Sequence, residues 1–299
     1  MGPGQKSQSV KNWSDSGTVI DICSQIYDRF AEVASEVRYQ AKGVFHSEML
    51  LACALADYFD VPHIFESGRA RGRSTYLLSR YFTSSSGCQI TSIEYEKYTQ
   101  DAIIAEERLR GRANVNLLFG DSTTLLPSLC TEEECIVLID GPKGRSAVTL
   151  AARLLRFPTV RAVFVHDLHA VAAGREMVER IFPDENTFFT DDEQYVETFR
   201  DLDDTCWEDL KQHPETAEGW GPYLRHGEEI PSYAHTFAMI VNQPDGIDVV
   251  DECEDYASQF QSTPDFGQRV RGKLDNILSQ SVEKPYWALR YWIEQIRTQ

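Results

Sequence analysis

The chain has 299 residues, 42% of them apolar and 25% charged, and a formal net charge of -18 at pH 7. That length holds one large α/β domain, or a core domain with an appended piece. An acid excess of this size excludes nucleic acid and anionic membrane surfaces as general partners, because both are bound through surplus Lys and Arg; small-molecule or protein substrates remain. No window reaches the roughly 20 apolar residues of a membrane span, and the N-terminus carries no hydrophobic signal region, so the expectation is a cytoplasmic protein with no membrane partner. Seven cysteines, odd in number and without a Cys-x-x-Cys pair, read as reduced core residues.

Residues 1–17 form a polar tail. Thr18 and Asp21 make a capping-box-like start, and Ile22, Ile26, Phe30, Val33 and Val37 then recur at helical spacing. Gly43 breaks that helix, Ser47 caps a second one bearing Leu51, Ala54, Leu55 and Tyr58, and Pro62 admits the first strand. From there strands and helices alternate. The strands are Ile64–Glu66, Ile90–Glu94, Val115–Phe119, Cys135–Ile139 and Ala162–Val165, followed by Thr187–Phe189 and a last strand at Thr236–Val241 placed antiparallel at the sheet edge. Apolar runs flanked by helices, Cys135–Ile139 the most complete, predict a doubly wound, mostly parallel sheet covered on both faces.

The domain reading is a Rossmann-like unit over 18–250, with an acidic, aromatic segment at 191–233 as an inserted substrate lid or a solvated insertion, and 251–299 as an acidic linker and C-terminal helix. Tyr286, Trp287, Tyr291 and Trp292 on that helix suit a core or a homo-oligomer interface made by the helical ends.

Chemistry concentrates where each predicted strand ends. The first runs into Glu66-Ser-Gly68-Arg-Ala-Arg-Gly72-Arg-Ser74-Thr75, with glycines where backbone turns close to a ligand and Ser74 or Thr75 able to cap the next helix. About twenty residues later, Glu94 ends the second strand where α/β folds hold a ribose diol. Asp121, Asp140 and Asp167 end the next three, so five strands in succession end in acids, at the edge where open sheets bind ligands. Lys143 lies in the turn after Asp140, and His166 and His169 flank Asp167; each is a candidate base or a structural residue. Arg69, Arg71 and Arg73 could bind a ligand carboxylate, a phosphorylated or carboxylated acceptor, or internal acids.

These motifs, from about Gly43 to Val241, resemble the class I S-adenosylmethionine-dependent methyltransferases, nearest to the catechol-type small-molecule O-methyltransferases. The resemblance implies a seven-stranded Rossmann-like methyltransferase sheet and S-adenosyl-L-methionine as cofactor. By that likeness Glu66, Gly68, Gly72 and Ser74 hold its methionine part, Glu94 its ribose, and Asp121 with Ser122 its adenine, beside Asp140. It also implies a Mg²⁺ site on Asp140 and Asp167, with Lys143 as general base. Leu168 stands where the family has an amide ligand, which leaves two carboxylates unless His166 or His169 contributes. The expected activity is O-methylation of a small molecule or sugar. A nicotinamide-dependent oxidoreductase and a non-catalytic protein of the same fold are the alternatives, and the missing Gly-x-Gly-x-x-Gly spacing counts against the first.

Overall fold

A computed structural model describes residues 12–40, 43–83, 87–168, 172–212 and 236–261. Seven strands form one sheet: β1 (His63–Ser67), β2 (Gln89–Glu94), β3 (Val115–Phe119), β4 (Cys135–Ile139), β5 (Val160–Val165), β6 (Thr187–Phe189) and β7 (Ala238–Val241), in the order β3-β2-β1-β4-β5-β7-β6. β1 to β5 pair in parallel, and β7 runs antiparallel to both its neighbours. This is the Rossmann-like sheet expected from the alternation of patterns. The last strand is not at the edge, however: β7 lies between β5 and the short β6.

Period-two alternation sorts each central strand between two apolar clusters. Ile136 and Leu138 of β4 join Phe164 of β5 and Ile64 of β1 on one face, with helices α1 (Ser16–Ser24), α2 (Tyr27–Ser35), α3 (His46–Phe59) and α4 (Arg73–Tyr81). Val137 and Ile139 join Val163 and Val165 on the other, with α6 (Ser122–Leu129), α7 (Arg145–Leu155) and α8 (Ala173–Ile181). Helix α5 (Gln100–Leu109) packs beside α4. Every residue of β4 is buried, and truncating one of its large side chains to Ala would cost about 2–5 kcal/mol.

Several local expectations change in three dimensions. The first predicted helix is two, α1 and α2, and the carboxylate of Asp15, not Thr18 with Asp21, caps α1 by accepting from Thr18 N at 2.9 Å. Ser47 does not cap α3; it is itself held at that N-terminus by Asp203, which accepts from Ser47 N at 2.9 Å and Ser47 Oγ at 2.6 Å. Asp203 belongs to α9 (Glu193–Gln212), the first half of the segment read as a lid. Tyr195, Phe199, Leu202 and Cys206 of α9 are buried against α1 and α3, so this half is core. The acidic stretch through Asp255, read as linker, belongs to α10 (Val250–Gln261), which buries Val250, Cys253 and Tyr256 against α7 and α8. In both cases acidic composition hid an apolar stripe. The C-terminal aromatic set and the second half of the lid lie outside the described residues.

All seven cysteines are buried and free, as expected. Among the described residues no helix is long and apolar enough to cross a membrane.

Candidate functional site

Between β1 and β4 the strand order reverses, which in an open sheet opens a crevice at the carboxyl ends. The loops there are locked across strands. Gly68 N donates to Ile93 O at 2.9 Å, Asp140 N and Gly141 N both donate to Ser67 O at 2.8 and 3.0 Å, and His166 N donates to Ile139 O at 2.9 Å.

Gly68 has φ +80°, and a Cβ there would lie 2.7 Å from Gly141 N and 2.9 Å from the Asp140 carbonyl carbon. Only glycine lets the β1 and β4 ends approach this closely. Gly72 also has a positive φ, of +70°, but an added Cβ would meet Ala105 and Leu109 of α5 at 3.0 Å. The second glycine is thus spent on helix packing.

Glu66 is buried and accepts hydrogen bonds from the hydroxyls of Ser74, Thr75 and Ser92. Burial pushes its carboxyl above the usual range, and the three hydroxyls only partly offset that. Ser74 and Thr75 are therefore turned inward to Glu66 and do not cap α4, whose N-cap is Gly72 without a side-chain bond. In this arrangement Glu66 organises the loop that the resemblance has it use on a ligand.

Glu94 faces the same loop. Its Oε2 accepts from Arg69 N at 3.2 Å and Ala70 N at 3.0 Å, and its Oε1 accepts from Tyr95 N at 2.9 Å. A carboxylate offers about four lone-pair positions, so one is left for a hydroxyl, and holding a diol through both would require the loop to give one back. Asp121 is exposed and caps α6 by accepting from Thr123 N at 2.9 Å, which with the Thr123 hydroxyl lowers its pKa. Ser122 is buried, with its Oγ donating to Gly141 O at 3.3 Å, and so ties the β3 end to the β4 end.

The three arginines have separate tasks. Arg71 pairs with Asp101 at 2.8 Å. Arg73 is buried, donates to Val44 O at 2.7 Å and Arg38 O at 3.1 Å, and bonds His46, thereby pinning the N-terminal segment to α4. Arg69, also buried, donates through Nη1 to Ser92 O at 2.7 Å and Leu118 O at 3.0 Å and lies over the Phe119 ring; its Nε and Nη2 have no partner among the described residues. A narrow cleft runs between Gln40, Gly43 and Val44 on one side and Arg69, Ala70, Arg71, Arg73, Ser74 and Asp140 on the other.

At the ends of β4 and β5 the expected polar residues meet. Lys143 Nζ pairs with Asp140 Oδ1 and with Asp167 Oδ2, the latter at 2.7 Å. His166 Nδ1 lies 2.5 Å from Asp140 Oδ1 and 3.5 Å from Asp167 Oδ1. On its other side, His166 Nε2 is 3.7 Å from Oε2 of Glu48, a buried α3 residue that sequence reading missed. Glu48 Oε1 accepts from Thr236 N at 2.6 Å and Phe237 N at 3.1 Å, while Oε2 accepts from Phe45 N at 3.0 Å. The only local signal for Glu48 was its place three residues after the Phe45 helix start; its contacts with positions 166, 236 and 237 are long-range. Tyr95, next to Glu94, is exposed.

Burial pulls both Lys143 and His166 toward their neutral forms, but the facing carboxylates of Asp140 and Asp167 outweigh it and leave both pKa values raised. Lys143 is therefore an ammonium in this arrangement, not the free amine that a general base requires. His169 lies outside the described residues.

Asp140, His166 and Asp167 bring one ligand atom each within 4.8 Å of one another. The set does not fit the Mg²⁺ that the resemblance implies. Mg²⁺ demands octahedral oxygen coordination, whereas one of the three donors is an imidazole nitrogen already engaged with Asp140, and an ammonium bridges the two carboxylates. Asp167 adopts φ +62°, and the chain then turns Leu168 into the second apolar cluster, fully buried and with no ligand atom in its side chain.

No protein-family model matches the chain, and no curated protein matches it. Among solved structures it is similar to the O-methyltransferase TomG from Streptomyces achromogenes in complex with SAM (16% identity, 77% of this chain and 97% of that one, TM-score 0.39). It is also similar to an O-methyltransferase from Bacillus cereus in complex with SAH (16% identity, 75% and 91%, TM-score 0.41) and to the SAH-bound methyltransferase PaMTH1 from Podospora anserina (13% identity, 80% and 100%, TM-score 0.36). At such identities, substrate and mechanism have to be read from this chain's own residues.

Proposed function

We propose that this protein is an S-adenosylmethionine-dependent methyltransferase acting on a hydroxyl group of a small molecule or sugar. The observation that supports the reading is the close approach of Gly68 to Asp140 and Gly141, which brings the glycine loop after β1 beside an acid and ammonium cluster on β4 and β5. The glycine loop's backbone and the narrow cleft would take the methionine part, Glu94 a ribose hydroxyl, and the Asp121–Ser122 turn with Tyr95 the flat base.

S-adenosylmethionine held there would supply an electrophilic methyl group on a sulfonium. The chain's own task is to hold an acceptor oxygen about 3 Å from that carbon and take its proton. Lys143, as an ammonium, donates a hydrogen bond to the acceptor oxygen and orients it. Asp167, the more exposed of the two acids, receives the proton, while His166 fixes Asp140 from beneath.

Calorimetric titration of the purified protein with S-adenosylmethionine, with NAD as the control, tests the reading. We expect binding of the first and not the second, and loss of about tenfold or more in Glu94→Ala, since a buried hydroxyl is left unpaired. NAD binding in place of S-adenosylmethionine would overturn it in favour of a nicotinamide-dependent enzyme. The acceptor is then sought by incubating protein and cofactor with a panel of catechols and sugars and scoring methylated products.

A further inference from the structure

We propose that Lys143 is the resident cation of the acceptor site, so that its ammonium holds the place between Asp140 and Asp167 where a divalent ion would sit and closes the site to such ions. The proposal rests on the functional reading above only for the name of the site; its test reads ion binding alone, so either can fail while the other stands.

Three features of the geometry point this way. The first is Nζ itself, which pairs with one oxygen of each acid. A divalent ion bound by the same two carboxylates would have to lie roughly 2.0–2.6 Å from their oxygens, in the volume Nζ fills, and two cations cannot share it. The second is the surroundings of the acids. Asp140 Oδ1 also receives His166 Nδ1, so the cluster already sets two basic side chains against Asp140, Asp167 and the buried Glu48. An added dication would have to displace one of these side chains from the carboxylate oxygens they occupy. The third is Leu168: the neighbour of Asp167 in sequence has a side chain buried in apolar surroundings, which offers no oxygen to help an ion displace Nζ.

Lys143 is also suited to remain. Its side chain, about half exposed, starts only three residues after Asp140, so it reaches both acids from the turn that leaves β4. An ammonium in this position keeps two carboxylates close together without metal and still presents donors to an acceptor oxygen.

Mn²⁺ is the probe, followed as loss of the free-ion signal in electron paramagnetic resonance. Full-length wild type, Lys143→Met, Lys143→Arg and the double variant Lys143→Met with Asp167→Asn are compared. Weak sites shared by all four belong to the acidic surface and are subtracted. We expect wild type and Lys143→Arg to show no stronger site, Lys143→Met to gain one site at least about tenfold tighter than the shared background, and the double variant to lose it again. A single tight Mn²⁺ site in the wild type overturns the proposal by itself, whatever the variants do. So does a folded Lys143→Met, with wild-type circular dichroism, that gains no site.

Discussion

Replacing Gly68 with alanine puts one methyl group into the narrowest part of the crevice. Two costs are separable. At φ +80° an L-residue other than glycine pays roughly 1–2 kcal/mol for the left-handed backbone. Its Cβ would also stand 2.7 Å from Gly141 N and 2.9 Å from the Asp140 carbonyl carbon, so the β4 end must retreat by several tenths of an ångström. Both obstacles are backbone atoms held by bonds to Ser67 O, and overpacking of that kind costs about 1–3 kcal/mol. The expected loss is therefore about 2–5 kcal/mol. Gly111 supplies the control: its φ is +81°, and no described atom lies within 4 Å of an added Cβ, so Gly111→Ala pays the backbone cost alone. Urea unfolding of both variants against wild type measures the difference as a shift in midpoint at constant slope. Equal destabilisation by the two substitutions would refute the claim that the β1 and β4 ends are in contact at Gly68, and with it the argument that joins the two halves of the site.

Further outcomes follow from the buried polar groups. Asp203→Ala should cost about 1–3 kcal/mol by removing the carboxylate that accepts from Ser47 N and Oγ at the start of α3, read by thermal unfolding; a neutral effect would show that α9 does not cap that helix. His46 is buried beside the Arg73 cation, and burial first and that charge second hold its pKa well below the usual range. A base depressed in the folded state contributes stability above its unfolded pKa and loses it on acidification, so wild type should lose about 1 kcal/mol between pH 7.5 and 5.5 that His46→Gln does not; equal pH dependence of the two would contradict the assignment. None of the seven thiols should react with a disulfide reagent in the native state, and all should react in denaturant. Fast labelling of any cysteine without unfolding would contradict their burial.

The sheet was legible in the sequence because its signals are local and redundant. A run such as Cys135–Ile139, apolar at every position between two helical patterns, has few places to go except a strand covered on both faces, and the acids at or just after the ends of five strands fall along one edge of the sheet. Apolar spacing likewise announced β6 and β7, but not which would lie outermost, since neither periodicity nor propensity encodes strand order. The same limit applies to the site. Glu66, Glu94, Asp140, Lys143 and Asp167 could be picked out by position, while their partners could not. Ser74 and Thr75 satisfy Glu66 instead of a helix end, Gly72 yields to α5 and not to a ligand, and Lys143 is kept charged by two acids, one of them 24 positions away. Glu48 meets His166 and the two residues that lead into β7 only because α3 and the sheet fold onto each other. Residue type fixes what a side chain can do, but its protonation and its free lone pairs depend on neighbours brought in by chain reversal, and these only the tertiary structure decides.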